Sequence, residues 1–185
     1  MALEIELKLK VDSFEPVIEK LNSLGAVFDG DFHQTDYYFD DNENSLVNSD
    51  RCLRIRRQTC QDGEQMELTY KGARENHRFK SRREIGLELQ NATQLVRIFA
   101  QLGYEEKLIF EKRRSLWRLD NCYIALDELP ILGKFIEIEG PGDKAIEAVQ
   151  QKLGLGSLTH IEHSYAHLVE QAVDKTDGRV MKVMF

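Results

Sequence analysis

In the stretch EIELKLK, Ile5, Leu7 and Leu9 alternate with Glu4, Glu6, Lys8 and Lys10, the two-residue period of a strand with one apolar and one ionised face. The alternation returns in LRIRR, where Arg54 and Arg56 oppose Leu53 and Ile55, and in MELTYK, where Glu67, Thr69 and Lys71 oppose Met66, Leu68 and Tyr70. EKRRSLWRL sets Lys112 and Arg114 on one face, and NCYIALDEL aligns Asp127 with Ala125 and Tyr123. Turn signals at Asp62-Gly63, Lys71-Gly72, Asp120-Asn121 and Leu132-Gly133 keep these strands short and mostly sequential. Antiparallel pairing follows.

Three times an acid-studded strand runs into an amphipathic helix that closes on Leu-Gly. After the first strand, Asp12 and Glu15 stand at capping-box spacing, Pro16 fits the first turn and Gly25 the C-terminal cap. REIGLELQNATQLVRIFAQLGY repeats the plan with Asn91 and Gln94 at the start, an apolar stripe of Leu95, Ile98, Phe99 and Leu102, and Gly103 at the end. FIEIEGPGDKAIEAVQQKLGL repeats it again, with Asp143 as N-cap and Gly154 as the stop. IEHSYAHLVEQ reads as a last helix. The pattern predicts an α+β domain over 1–173, with helices outside the sheet and a weakly patterned tail over 174–185.

Lined up by alternation, the polar faces offer Glu4, Glu6, Glu84, Glu88, Asp127, Glu137 and Glu139 against Lys8, Arg54, Arg56, Lys71, Arg82, Lys112 and Arg114. In an open sheet this face is solvated surface; in a sheet curled shut it becomes a charged lumen. Clustered carboxylates are hard oxygen ligands suited to magnesium or manganese. Arginines and lysines supply forked and point donors to phosphate oxygens. Acids and bases sharing one lumen point to a metal-bound polyphosphate. Histidines 33 and 163 are expected as structural donors, and Trp117 with Tyr37, Tyr38 and Phe39 as wall packing.

Composition narrows the field. The 185 residues suit one sizeable core. With 25 Lys and Arg against 32 Asp and Glu, the net charge of -7 argues against nucleic-acid or anionic-membrane binding, so any basic site is local. Cys52, Cys60 and Cys122 show no metal-type spacing and read as reduced thiols of a cytoplasmic protein. No apolar run approaches the roughly 20 residues a membrane span needs.

Glu4-x-Glu6-x-Lys8 matches the ExExK signature of the CYTH superfamily, the triphosphate tunnel metalloenzymes. HQTDYYFD, LRIRR, LTYKG, SRREIGLEL, EKRRSLW, IALDE, LGKFIEIEG and HSYAHL follow and resemble the family's blocks in the family's order, over about residues 2 to 170. The resemblance implies an eight-stranded antiparallel β-barrel forming a tunnel, and an enzyme such as a class IV adenylyl cyclase, a thiamine triphosphatase or an inorganic triphosphatase. It implies Mg2+ or Mn2+ held by Glu4, Glu6, Glu137 and Glu139, with Asp127 as a further ligand or water-orienting group. Phosphates fall to Lys8, Arg54, Arg56, Lys71, Arg82, Lys112 and Arg114, with Lys8, Arg56 and Asp127 as the catalytic positions. Glu84 and Glu88 match the third acidic strand, whereas Gly86 stands where many relatives carry an acid and marks a thinner or bulged wall. The expected partner is a small-molecule triphosphate, with a homodimer left open. Hydrolysis is the expected reaction. Conversion of ATP to cyclic AMP is the alternative, and noncatalytic polyphosphate binding comes third.

Overall fold

A computed structural model describes residues 2–61, 63–75, 77–173 and 180–185, with the side chain of Ala2 excepted. The expected turn residue Asp62 and residues 174–179 of the expected tail lie outside them. The elements run β1 (Ala2–Val11), α1 (Glu15–Ser23), β2 (Val27–Asp40), α2 (Ser45–Asn48), β3 (Cys52–Cys60), β4 (Gly63–Arg74), β5 (Lys80–Leu89), α3 (Thr93–Gln101), β6 (Glu105–Leu119), β7 (Cys122–Leu129), β8 (Gly133–Glu139), α4 (Asp143–Lys152), α5 (Tyr165–Ala172) and β9 (Met181–Val183). No helix among the described residues is long and apolar enough to cross a membrane.

Eight antiparallel strands close on themselves in the order β2-β3-β4-β5-β1-β8-β7-β6, and β6 returns to β2 along nearly its whole length. The predicted barrel is therefore present, and closure removes the edges that an open sheet would expose. Two strand edges outlast the regular pairing and are covered by later chain. β9 runs parallel to β6 along Leu108–Phe110, beyond the reach of β7. Leu9 bridges to His160, and the Ile161 amide donates to the Lys8 carbonyl, where β1 has run past β5.

The main apolar core lies outside the barrel wall. Ile5, Leu7 and Leu9 of β1, Ile124 and Leu126 of β7 and Ile136 and Ile138 of β8 meet Val17 and Leu21 of α1 and Ile146 and Val149 of α4. A second cluster joins Leu108, Phe110 and Phe135 to Tyr165 and Val169 of α5, at the end of the barrel where β1 stops and β8 begins. A third packs Phe99 of α3 on Phe39 and Ile55. Trp117 belongs to the first core, against Phe28 at 4.9 Å, as expected of a strand aromatic. Under α1, α3 and α4 the alternation read from sequence thus sorts apolar residues to the helices and ionised residues to the lumen, whereas at the α5 end Leu108 and Tyr165 bring apolar surface into it.

Local starts differ from the spacing rules. Phe14, not Asp12, occupies the N-cap of α1, and the Ser13 hydroxyl accepts from the Glu15 amide. Asp143 is the first residue of α4, not its cap. The Lys71-Gly72 turn is absent: Gly72 lies inside β4, where the register with β5 shifts between Lys71 and Arg74. Gly25 does end the first helical turn sequence, at φ +70°, a region L side chains avoid.

Candidate functional site

The lumen is a cavity of about 710 Å³, within the range that encloses small-molecule ligands. Its lining includes Glu4, Glu6, Lys8, Arg54, Arg56, Lys71, Arg82, Lys112, Arg114, Glu137 and Glu139, so all but one of the anticipated site residues face one space. Asp127 is the exception, fully buried in the wall behind them. The strand order gives the lumen two poles. Adjacent β5, β1 and β8 carry Glu84, Glu4, Glu6, Glu137 and Glu139, while β3 and β6 across the barrel carry Arg54, Arg56, Lys112 and Arg114.

Pairing register sets the contacts on the acidic side. Glu6 stands opposite Glu139, and Lys8 opposite Glu137, across β1 and β8. Lys71 bonds Glu4 at 2.6 Å and Glu84 at 3.1 Å, Lys80 pairs with Glu6, and Lys8 lies 3.3 Å from Glu137. For Glu6, burial opposes ionisation, but Lys80, Lys8 and Lys71 together outweigh it and the carboxyl titrates down at about 2. Glu4 is raised by burial and by Glu6 and Glu84. Glu139 opens onto the tunnel, yet the surrounding low-dielectric wall and then the Glu4 charge lift it to about 7. This crowding of carboxylates, which raises Glu4 and Glu139, offers hard oxygen donors that fit a divalent cation such as Mg2+ or Mn2+. The lysines presently balance much of its charge, and among the described residues no three metal-type side chains surround one point.

Across the lumen the bases are held by two buried acids. Asp36, 1% exposed, takes both arms of Arg56 at 2.6 and 2.7 Å and lies 3.8 Å from Arg54. Burial works against its charge, but Arg56 and Arg54 hold the carboxyl well below the usual range. Asp127 accepts from Arg114 at 2.7 and 2.5 Å and from Lys112 at 3.0 Å, and Arg114 also reaches Glu137 at 2.5 Å. Forks fixed in this way are pre-organised for phosphate oxygens. Arg82 is turned elsewhere: it donates to the Asp50 backbone and carboxylate and to the Gly72 carbonyl.

Burial, with Arg114 beside it, pushes the Lys112 ammonium down to about 7 against the pull of Asp127. An anion bound at this ammonium raises that pKa, so binding above neutrality takes up protons. At pH 8, titration of tripolyphosphate in buffers of different ionisation enthalpy should show net uptake attributable to Lys112, and affinity should decline as pH rises past 7. Affinity that is flat from pH 6 to 9 would contradict this.

Two lumen groups, Lys80 and Asp36, escape the sequence reading, and a third, Glu67, is read there on a polar strand face but not among the lumen acids. Lys80 continues the Glu84 and Arg82 alternation one step before the motif. Asp36 sits in a β2 segment buried on both faces, so no alternation marks it. Glu67 leans across to Gly86, where an added Cβ would come within 2.5 Å of its Oε1. β5 is not bulged there, since Gly86 keeps register with Thr69, and the Glu67 carboxylate occupies the space that Gly86 leaves. Glu84 lines the lumen, whereas Glu88 lies exposed outside its lining.

Comparison with known proteins adds to this geometry. The model of the CYTH domain matches residues 2–165. The Methanocaldococcus jannaschii protein named "Putative adenylate cyclase MJ0240" is 31% identical over 81% of this chain and 81% of its own length. Adenylate cyclase CyaB of Aeromonas hydrophila is 26% identical over 96% of this chain and 94% of its own. The structure of the PH1819 protein from Pyrococcus horikoshii superposes with a TM-score of 0.79 at 28% identity, covering 91% of this chain and 98% of that one.

Proposed function

Because the chain belongs to the CYTH domain family, we propose that it hydrolyses a triphosphate held in the barrel lumen with the help of Mg2+ or Mn2+. The observation that carries this reading is the pair of opposed walls, acidic on β5, β1 and β8 and basic on β3 and β6, around one cavity. A single phosphate would leave most of these cations unused. A triphosphate, with roughly four negative charges at neutral pH, spans them.

Glu4, Glu6, Glu137 and Glu139 would hold the cation, which supplies positive charge against phosphate oxygens and lowers the pKa of water. Arg54, Arg56 and Arg114 present forks to the phosphates, and Lys8 and Lys112 neutralise the charge that develops as the anhydride bond breaks. Asp36 and Asp127 hold those forks in place and touch no substrate; Asp127 is thus a positioning residue rather than a ligand in this reading. Lys71 and Lys80, which pair with Glu4 and Glu6, would be available to phosphate oxygens where a cation took those glutamates.

A second reading, cyclisation of ATP to cyclic AMP and pyrophosphate, draws on the names of the curated relatives and on one feature of the lumen. Leu116, Ala125 and Tyr123 form a neutral strip of the lining, at the end away from α5, and Tyr123 is half exposed. A flat ring could lie there. Parallel incubations with tripolyphosphate, thiamine triphosphate and ATP, each with Mg2+ or Mn2+, separate the readings. Phosphate release is expected; cyclic AMP with little free phosphate would overturn hydrolysis in favour of cyclisation.

A further inference from the structure

Tyr165, the first residue of α5, is 6% exposed and lines the lumen at the end where β1 stops. Its ring is packed edge-on against Phe135. Two lumen lysines rest over the ring face, the Lys8 ammonium 3.8 Å and the Lys112 ammonium 5.0 Å from its centroid. The electron-rich face thus gathers two cations that the barrel wall alone would drive apart.

The hydroxyl has no such employment. Among the described residues it has no partner in hydrogen-bond geometry. Asp127 is the nearby acid, close enough to act on the phenol, but its oxygens already accept three bonds from Lys112 and both arms of Arg114, and none from the hydroxyl in hydrogen-bond geometry. A buried hydroxyl left unpaired is costly, and natural proteins keep few of them. Burial and the Asp127 charge hold the phenol protonated far above its ordinary range, so it keeps a proton to donate at any working pH.

We propose that the Tyr165 hydroxyl is a substrate-binding donor to the phosphoryl group at the α5 end of the lumen. This rests on the triphosphate reading above and adds to it a neutral donor among the cations. Lys8 and Lys112 lie over the ring in the free protein, and both are groups that turn to phosphate oxygens on binding. A phosphoryl oxygen held by these two ammoniums comes beside the phenol and gives it an anionic acceptor. The same helix that closes the core beneath α5 therefore reads whether a phosphoryl group has reached that end.

Tyr165→Phe is the test, because it keeps the ring, its packing and both cation contacts and removes one oxygen. Tripolyphosphate affinity by calorimetry, with turnover in parallel, should fall about tenfold to hundredfold, the weight of a hydrogen bond to a charged acceptor. The melting temperature of the ligand-free variant should stay level or rise, since an unpaired group has gone. Affinity and turnover equal to the parent protein would overturn the proposal. So would a drop in ligand-free melting temperature with affinity unchanged, which would assign the hydroxyl to holding Asp127. If the parent protein binds no tripolyphosphate, the triphosphate reading fails as well, so the two failures are told apart by the parent protein alone.

Discussion

Asp127→Asn will lower the stability of the ligand-free protein by about 3–5 kcal/mol, the cost of stripping one partner from a buried ion pair. For a chain of this length that is about 6–20 °C in Tm. Asp127 is fully buried and binds Lys112 and both arms of Arg114. Without its charge, Arg114 keeps Glu137, but Lys112 is left facing Arg114 and Arg56. The loss should depend on pH in a definite direction. Lys112 titrates at about 7 in the folded chain and near its ordinary value of about 10.4 when unfolded. Between those values the unfolded state holds more protons, so stability rises with pH across that window. Without the pull of Asp127 the Lys112 pKa falls further, so the variant should be weakest in acid, where Lys112 is still charged, and should recover partly as the pH rises towards neutrality. Tripolyphosphate returns negative charge to the same place, so its stabilising shift should be larger in the variant than in the parent. Thermal melts at pH 6 and pH 9, with and without tripolyphosphate, check all three statements; a variant melting within 3 °C of the parent would remove Asp127 as the anchor of the basic wall.

Glu6→Gln will reduce metal-dependent turnover by about 10²–10³-fold, the scale seen when a pre-organised electrostatic contact to a developing charge is deleted. The carboxylate stands opposite Glu139 and next along the strand from Glu4, and Lys80 keeps it ionised down to about pH 2. Glutamine preserves shape and removes charge. The half-saturating Mg2+ or Mn2+ concentration should rise, whereas tripolyphosphate affinity without metal should increase, because one repelling charge has left the lumen. The fold should persist, since Ile5 and Leu7 on the other face of β1 still bind it to the outer core. Unchanged turnover with an unchanged metal requirement would place the cation elsewhere.

The alternation rule recovered the two faces of β1, β3, β4 and β8 because each has one apolar face under helices and one polar face on the lumen. It failed where both faces are buried. Gln34, Thr35 and Asp36 are all buried in consecutive β2 positions, so polar residues fall on both faces there and no alternation singles out Asp36. The short helix α2 also had no local signal. Its amides at Leu46 and Val47 are held by Asp40, six and seven residues back, a contact made by tertiary geometry. Arg82 shows the converse limit: its parity puts it in the lumen, but Asp50 on the β2–β3 connection claims its guanidinium. Parity says which face a side chain takes, and only the assembled chain says what it meets there. Barrel closure itself came from the family likeness, because a charged face looks the same along an open sheet.

The seam between β2 and β6 joins Val27 to Arg118 at one end and Asp40 to Glu105 at the other. These partners are distant in sequence, and contacts of that kind form late in folding because so long a loop must first be closed. Asp36 and Lys112 belong to opposite sides of the seam, so the basic wall is not complete in a chain whose hairpins have formed but whose cylinder is still open. During refolding, strand signal should therefore appear before tripolyphosphate can be captured. Ligand capture then becomes a clock for the last act of assembly.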